Sequence, residues 1–351
     1  MCAVAFLVWA MPALAHPVPF SYLDLRLAPN AVEASIIVHV IDVAHELGVE
    51  EPESLLDHIT ATRRGADLAA LFARRLALEA DGVRLAAAWT GIEPLPDRQA
   101  VRMIARIPLS RPAGTLAVDG VLFPYDPNHR TFVNVYEDDD PTQAILDAGR
   151  TRFEYFAGTR QGAVAVIGKF LPAGIHHILI GPDHILFLIG LLLLGGSLKR
   201  LALIVTGFTL AHSVTLSLAA LNLVSPPASV IEPAIALSIV FVGADNLLKK
   251  DGRDVRAWIA FGFGFIHGFG FANVLREMDL PSRALGWSLF SFNVGVEIGQ
   301  LAIVAVVAAV LGLVRSRSEA FGHRLAVAGS VGVIAAGSYW FAQRMLFPGG
   351  L

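Results

Sequence analysis

The chain has 351 residues, 55% of them hydrophobic and 16% charged, with a net charge of −3. A mean hydropathy of +0.60 is too high for an ordinary soluble protein and points to a membrane class. No basic excess suggests a nucleic-acid partner, and the single cysteine, Cys2, excludes a disulfide framework or a thiolate metal site in the rest of the chain.

Residues 1–15 form a short apolar run ending in Ala13-Leu14-Ala15. This matches the apolar region and small-residue cleavage site of a secretory signal, although the usual positive start is missing. The alternative is a short apolar anchor. Cleavage after Ala15 would leave His16 first, where a free amine beside an imidazole chelates copper or nickel; the alternative is an incidental histidine.

Residues 16–165 carry most of the charge, and 166–351 are largely apolar runs. Three parts are therefore expected: a signal peptide, an exported domain and a transmembrane domain. In the exported part, 20–27 and 32–40 alternate apolar and polar residues with the period of a strand. A helical stretch is expected from Glu53 to about Leu78, with Leu55, Leu56, Ile59, Leu68, Leu71 and Phe72 at helical spacing. Further strands are expected near 101–107, 115–123 and 131–136, separated by turns containing Pro and Gly. The reading is a β-rich, sandwich-like domain with a helical insertion.

Six apolar stretches follow, at about 173–194, 201–222, 229–248, 257–275, 286–311 and 325–342. Each is near the ~20 residues that a helix needs to cross a bilayer. Lys199 and Arg200 follow the first, Lys249, Lys250, Arg253 and Arg256 the third, and Arg315, Arg317 and Arg324 the fifth. Positive residues mark the cytoplasmic side. The first helix then runs inward, which agrees with an exported N-terminal domain. The expected place is the inner membrane of a bacterium, with that domain and the C-terminus in the periplasm.

Five ionisable residues fall near the middle of these stretches: Asp183, His184, His212, His267 and Glu297. A charge at mid-bilayer costs at least ~2.5–3.5 kcal/mol, so it is normally kept for a purpose. His176 and Asp183 are seven apart, as are His177 and His184, so on a continuous helix each pair shares a face. Pro182 should kink that helix just before the Asp-His pair. His176 and His177 are then expected as an entry site two turns above a midplane site. Thr206, Thr209, His212 and Ser213 share one face of the next helix, while Asn293, Glu297 and Gln300 form a polar stripe. Such stripes must face protein or a water-filled cavity. Gly264 and Gly268 form a small-xxx-small pair around His267, suited to close helix approach.

Asn293 and Gln300 are weaker ligand candidates, as are Glu232 and Asp245, near the outer and inner ends of the third stretch. For these last two, an interfacial carboxylate and a neighbour of Lys249 and Lys250 are equally good readings. Imidazole and carboxylate without thiolate suit nickel, cobalt, zinc, copper(II) or iron. His39, His45, His58 and His129 are scattered through the exported part, where surface or packing roles serve them better than ligation.

At these residues the chain resembles the HupE/UreJ family of hydrogenase and urease accessory membrane proteins. The motif is His177…Gly181-Pro182-Asp183-His184, followed by Phe208-Thr209-Leu210-Ala211-His212-Ser213, Phe265–Phe271 and Asn293–Gln300. It is also similar to the His-x(4)-Asp-His signature of nickel/cobalt permeases, with one residue more after His177. The resemblance covers most of 173–311. It implies a permease for nickel or a related divalent metal, working beside proteins of metalloenzyme maturation. A large exported domain is absent from shorter members and marks a long form. The competing readings are an intramembrane zinc hydrolase, with three His and a carboxylate around an activated water, and a membrane anchor or sensor for a partner.

Overall fold

The computed structural model describes residues 20–137, 140–248, 254–270 and 282–347. The expected leader and His16 lie outside them, as do Lys249, Lys250 and Arg253 of the positive loop. By its contacts the chain divides into two compact units, Met1–Glu154 and Tyr155–Leu351.

The first unit is β-rich, as its alternation implies. Strands β1 (Phe20–Ala28), β2 (Ala31–His39), β5 (Thr90–Leu95), β6 (Ala100–Pro108), β8 (Arg130–Glu137) and β9 (Asp140–Leu146) form a six-stranded sheet in the order β5-β6-β2-β1-β8-β9. Strands β3 (Leu76–Ala80), β4 (Val83–Leu85), β7 (Thr115–Gly120) and β10 (Arg152–Phe156) form a four-stranded sheet, β10-β7-β3-β4. Leu23 and Leu25 of β1, and Val101, Met103, Ala105 and Ile107 of β6, are buried at every second position.

Helix α1 (Val40–Leu47) follows β2, and α2 (His58–Arg75) is the expected insertion, though shorter at both ends. Residues 52–56 form a 3-10 turn, and the Asp57 carboxylate accepts from Thr60 N at 2.9 Å to start the helix. From Leu76 the chain leaves the helix because its backbone pairs with β7.

The second unit is helical: α3 (Arg160–Ile180), α4 (Pro182–Leu192), α5 (Leu198–Ala220), α6 (Ala228–Leu248), α7 (Arg256–Gly270), α8 (Ser282–Arg317) and α9 (Glu319–Leu346). Among the described residues, five helices are long and apolar enough to cross a membrane: α3, α5, α6, α8 and α9. The chain is thus a membrane protein. Helix α3 packs on α8, α5 on α7 and α6 on α9.

The first apolar stretch is not one kinked helix. It is the end of α3, a break at Gly181 (φ −74°, ψ 103°) and the separate half-helix α4. Pro182 has no N–H, so it leaves the Ile178 carbonyl without its donor and opens a new helix at its first position. A Cβ at residue 181 would stand 2.8 Å from the His177 carbonyl oxygen and 2.9 Å from His184 Nδ1, so the break needs glycine. The far end of α4 is fixed by two arginines. Arg256 donates to the Leu191 and Gly195 carbonyls at 2.7 and 2.8 Å, and Arg315 to those of Leu193 and Leu194 at 2.7 and 3.0 Å.

Candidate metal centre

Because α3 stops at Ile180, His177 and His184 do not sit two turns apart. Their ring centroids are 4.6 Å from one another. The midpoint of α5 brings His212 to within 6.5 Å of His177 and 6.4 Å of His184, again between centroids. One ligand atom from each of the three lies within 4.8 Å of the other two. His267 of α7 flanks them, 5.2 Å from His184. Helices α5 and α7 touch at their small residues. A Cβ at Gly268 would overlap the His212 carbonyl and Thr215 Oγ1 and stand 3.0 Å from Leu216 N. This crossing sets His267 beside His212.

Hydrogen bonds choose the tautomers. Asn293 Nδ2 donates to the Leu289 carbonyl at 2.8 Å, which orients the amide. Its Oδ1 therefore accepts from His212 Nδ1 at 3.2 Å, and the lone pair of His212 is on Nε2. Ser238 Oγ donates to the Ile235 carbonyl at 2.6 Å. Having spent its hydrogen, it accepts from His267 Nε2 at 2.9 Å, which leaves the lone pair of His267 on Nδ1. His212 Nε2, His267 Nδ1 and His184 Nε2 are all buried without a hydrogen-bond partner. Buried imidazole nitrogens are normally paired. Several of them together, with the second nitrogens of His212 and His267 held by Asn293 and Ser238, fit a metal-ion site with outer contacts already made.

Aromatic rings wall the cluster. Phe208 lies 5.9 Å from His212 and 5.2 Å from His267, Phe187 5.0 Å from His267, and Phe292 5.5 Å from His177. Phe187, Phe208 and Phe292 are fully buried, so the imidazoles sit in a medium that screens charge poorly.

A family model described as HupE / UreJ protein matches residues 155–344. The chain belongs to the HupE/UreJ family. The match spans α3 to α9 and leaves the β-rich unit outside it. No curated protein shows significant similarity to the chain.

In this HupE/UreJ protein the expected carboxylates are not with the histidines. Asp183 follows Pro182 on the first turn of α4, but its carboxylate turns to Arg344 of α9, with Oδ2 2.8 Å from Nη2. Glu297 accepts from Thr206 Oγ1 at 2.6 Å and Thr209 Oγ1 at 2.5 Å. With Asn293, Thr206, Thr209 and Ser213 it lines a mostly apolar groove of about 700 Å³ between α5 and α8. The polar face expected of α5 is thus divided: His212 points to the cluster, and its hydroxyl neighbours point to the groove. Gln300 is buried, with Oε1 2.9 Å from Thr209 Oγ1.

Asn293 holds His212 rather than joining the ligand set. His176 is exposed on α3. Neither it nor Glu232 or Asp245 joins a group of three ligand atoms among the described residues. Sequence reasoning passed over Ser238 and Arg344. Ser238 carries no signal in an apolar helix. Arg344 does, as the last basic residue of the chain and close to the apolar 325–342 stretch.

Proposed function

We propose that this protein is a membrane permease for a divalent transition metal, with the cluster of His177, His184 and His212 as its binding site within the bilayer. One observation carries the reading: three imidazoles from three helices present ligand atoms within 4.8 Å, deep among apolar helices. Family membership supports metal handling. The donor set suits nickel, cobalt, zinc or copper(II) alike, because nitrogen donors without thiolate suit these ions, and it is the family that puts nickel first. Two donors on one ion at about 2.0–2.1 Å stand about 3.4 Å apart, so small shifts of the rings bring them into binding distance.

His267 is the fourth donor of this reading, and Asp183 the carboxylate through which the ion approaches. Protons and metal compete for each imidazole lone pair, so a proton gradient is a chemically sufficient drive. Loop charges support a cytoplasmic side at Lys199, Arg200, Arg256 and Arg315. The first unit is then periplasmic, the membrane is the bacterial inner one, and the leader is a signal peptide. Proteins that mature nickel enzymes are the partners this implies.

The test is uptake of Ni, Co, Zn and Cu into liposomes by the purified protein, against His212→Ala and His184→Ala. Saturable uptake lost in both variants is expected. Metal binding without uptake, together with turnover of a lipid or peptide, would replace the permease by a zinc hydrolase. Uptake that survives both substitutions would remove the cluster from the route.

A further inference from the structure

The ion pair of Asp183 and Arg344 begins one residue before His184 in the chain. Asp183 and His184 are adjacent on the first turn of α4, and they part: the imidazole turns inward and the carboxylate meets Arg344. The guanidinium grips twice. Nη2 donates to Asp183 Oδ2 at 2.8 Å and Nη1 to the Glu232 backbone carbonyl at 3.1 Å. The end of α9 is thereby tied to the first turn of α4 and to the N-terminal part of α6. Both side chains are about one-fifth exposed, so the pair is open to exchange. Asp183 Oδ1, by contrast, is buried and has no hydrogen-bond partner. The carboxylate is half satisfied, by a cation that belongs to the chain.

We propose that Arg344 is a tethered competitor for the transported cation. Its guanidinium holds Asp183 until a divalent ion at the histidine cluster draws the carboxylate away, and so it sets the affinity of the site and signals loading to α9. This rests on the histidine cluster being a metal site. A guanidinium never loses its proton, so only another cation can take its place on Asp183. The exchange then ties metal loading to release of α9 from α4 and α6.

Two measurements on the full-length protein in detergent test it. The first is titration with nickel chloride. Arg344→Gln removes the competitor, and binding should tighten by about fivefold, the scale of a partly exposed ion pair. The second is labelling of Arg344 by phenylglyoxal, read by peptide mass spectrometry. Nickel should speed labelling several-fold in the wild type. In Asp183→Asn labelling should be fast with or without nickel, and in His184→Ala slow with or without it.

Nickel binding that leaves Arg344 labelling unchanged overturns the proposal and leaves the cluster standing. So does an Arg344→Gln protein that stays monodisperse and binds nickel no more tightly than wild type. Absence of binding of nickel, cobalt, zinc and copper alike by the wild type overturns both readings at once, since no cation is then left to displace the guanidinium.

Discussion

Asn293→Ala tests the reasoning about tautomers most directly. In the native site the amide receives the His212 Nδ1 hydrogen at 3.2 Å and is itself anchored to the Leu289 carbonyl. Alanine deletes the acceptor and keeps the helix, because alanine is the best helix former. His212 is then free to rotate or to move its hydrogen to Nε2, the nitrogen that faces the cluster. Loss of a partner holding a ligating histidine typically costs 10–100-fold in metal affinity, about 1.4–2.7 kcal/mol.

Calorimetric titration with nickel, cobalt and zinc measures it. Asn293→Asp is the control. A carboxylate still accepts the Nδ1 hydrogen and makes the imidazole more basic, so binding should be kept or improved. Unchanged affinity in the alanine variant, or loss in both, would refute the assignment of Nε2 as the ligand atom.

Gly268→Ala should separate α5 from α7, because its Cβ meets the His212 carbonyl, Leu216 N and Thr215 Oγ1. Overpacking of this kind costs about 1–3 kcal/mol, read as a lowered melting point together with weaker metal binding. Arg256→Met should destabilise the bundle by about 2–3 kcal/mol, since the Leu191 and Gly195 carbonyls lose their donor. Thermal unfolding in detergent checks this, and a neutral result would mean that water replaces the guanidinium.

In the β-rich unit, burial holds His129 below the usual imidazole range despite the Asp42 carboxylate 3.8 Å away. The unfolded chain then takes up a proton that the folded one resists. Stability is full above the unfolded pKa of about 6.5 and falls as pH drops from there toward the lower folded value. His39, lowered chiefly by burial, has the same sign. Hydrogen-exchange protection of β1 and β8, corrected for intrinsic rates, should fall between pH 7.5 and 5.5. In His129→Gln most of that slope should vanish.

Much of this architecture follows from local pattern. Period-2 alternation marked β1 and β2, and runs of about 20 apolar residues marked the crossing helices, because each element must match its own solvent. His184, His212 and His267 were legible as residues that come together for the same reason: a polar group in an apolar helix has to meet something. Sequence gives depth along a helix but not the direction a side chain faces once the helix is broken.

The break at Gly181-Pro182 turned His177 from an expected entrance into a member of the cluster. It also sent Asp183 to Arg344, 161 residues away in the chain. Glu297, equally deep by count, faces the hydroxyls of α5 because α8 presents that side to the groove. The chain alone determined which residues are too costly to bury without partners. Only the packing of α3, α4, α5 and α7, set by the small residues where they cross, decided which of them meet. Contact between helices depends on rotation about their axes, and no one-dimensional spacing records it.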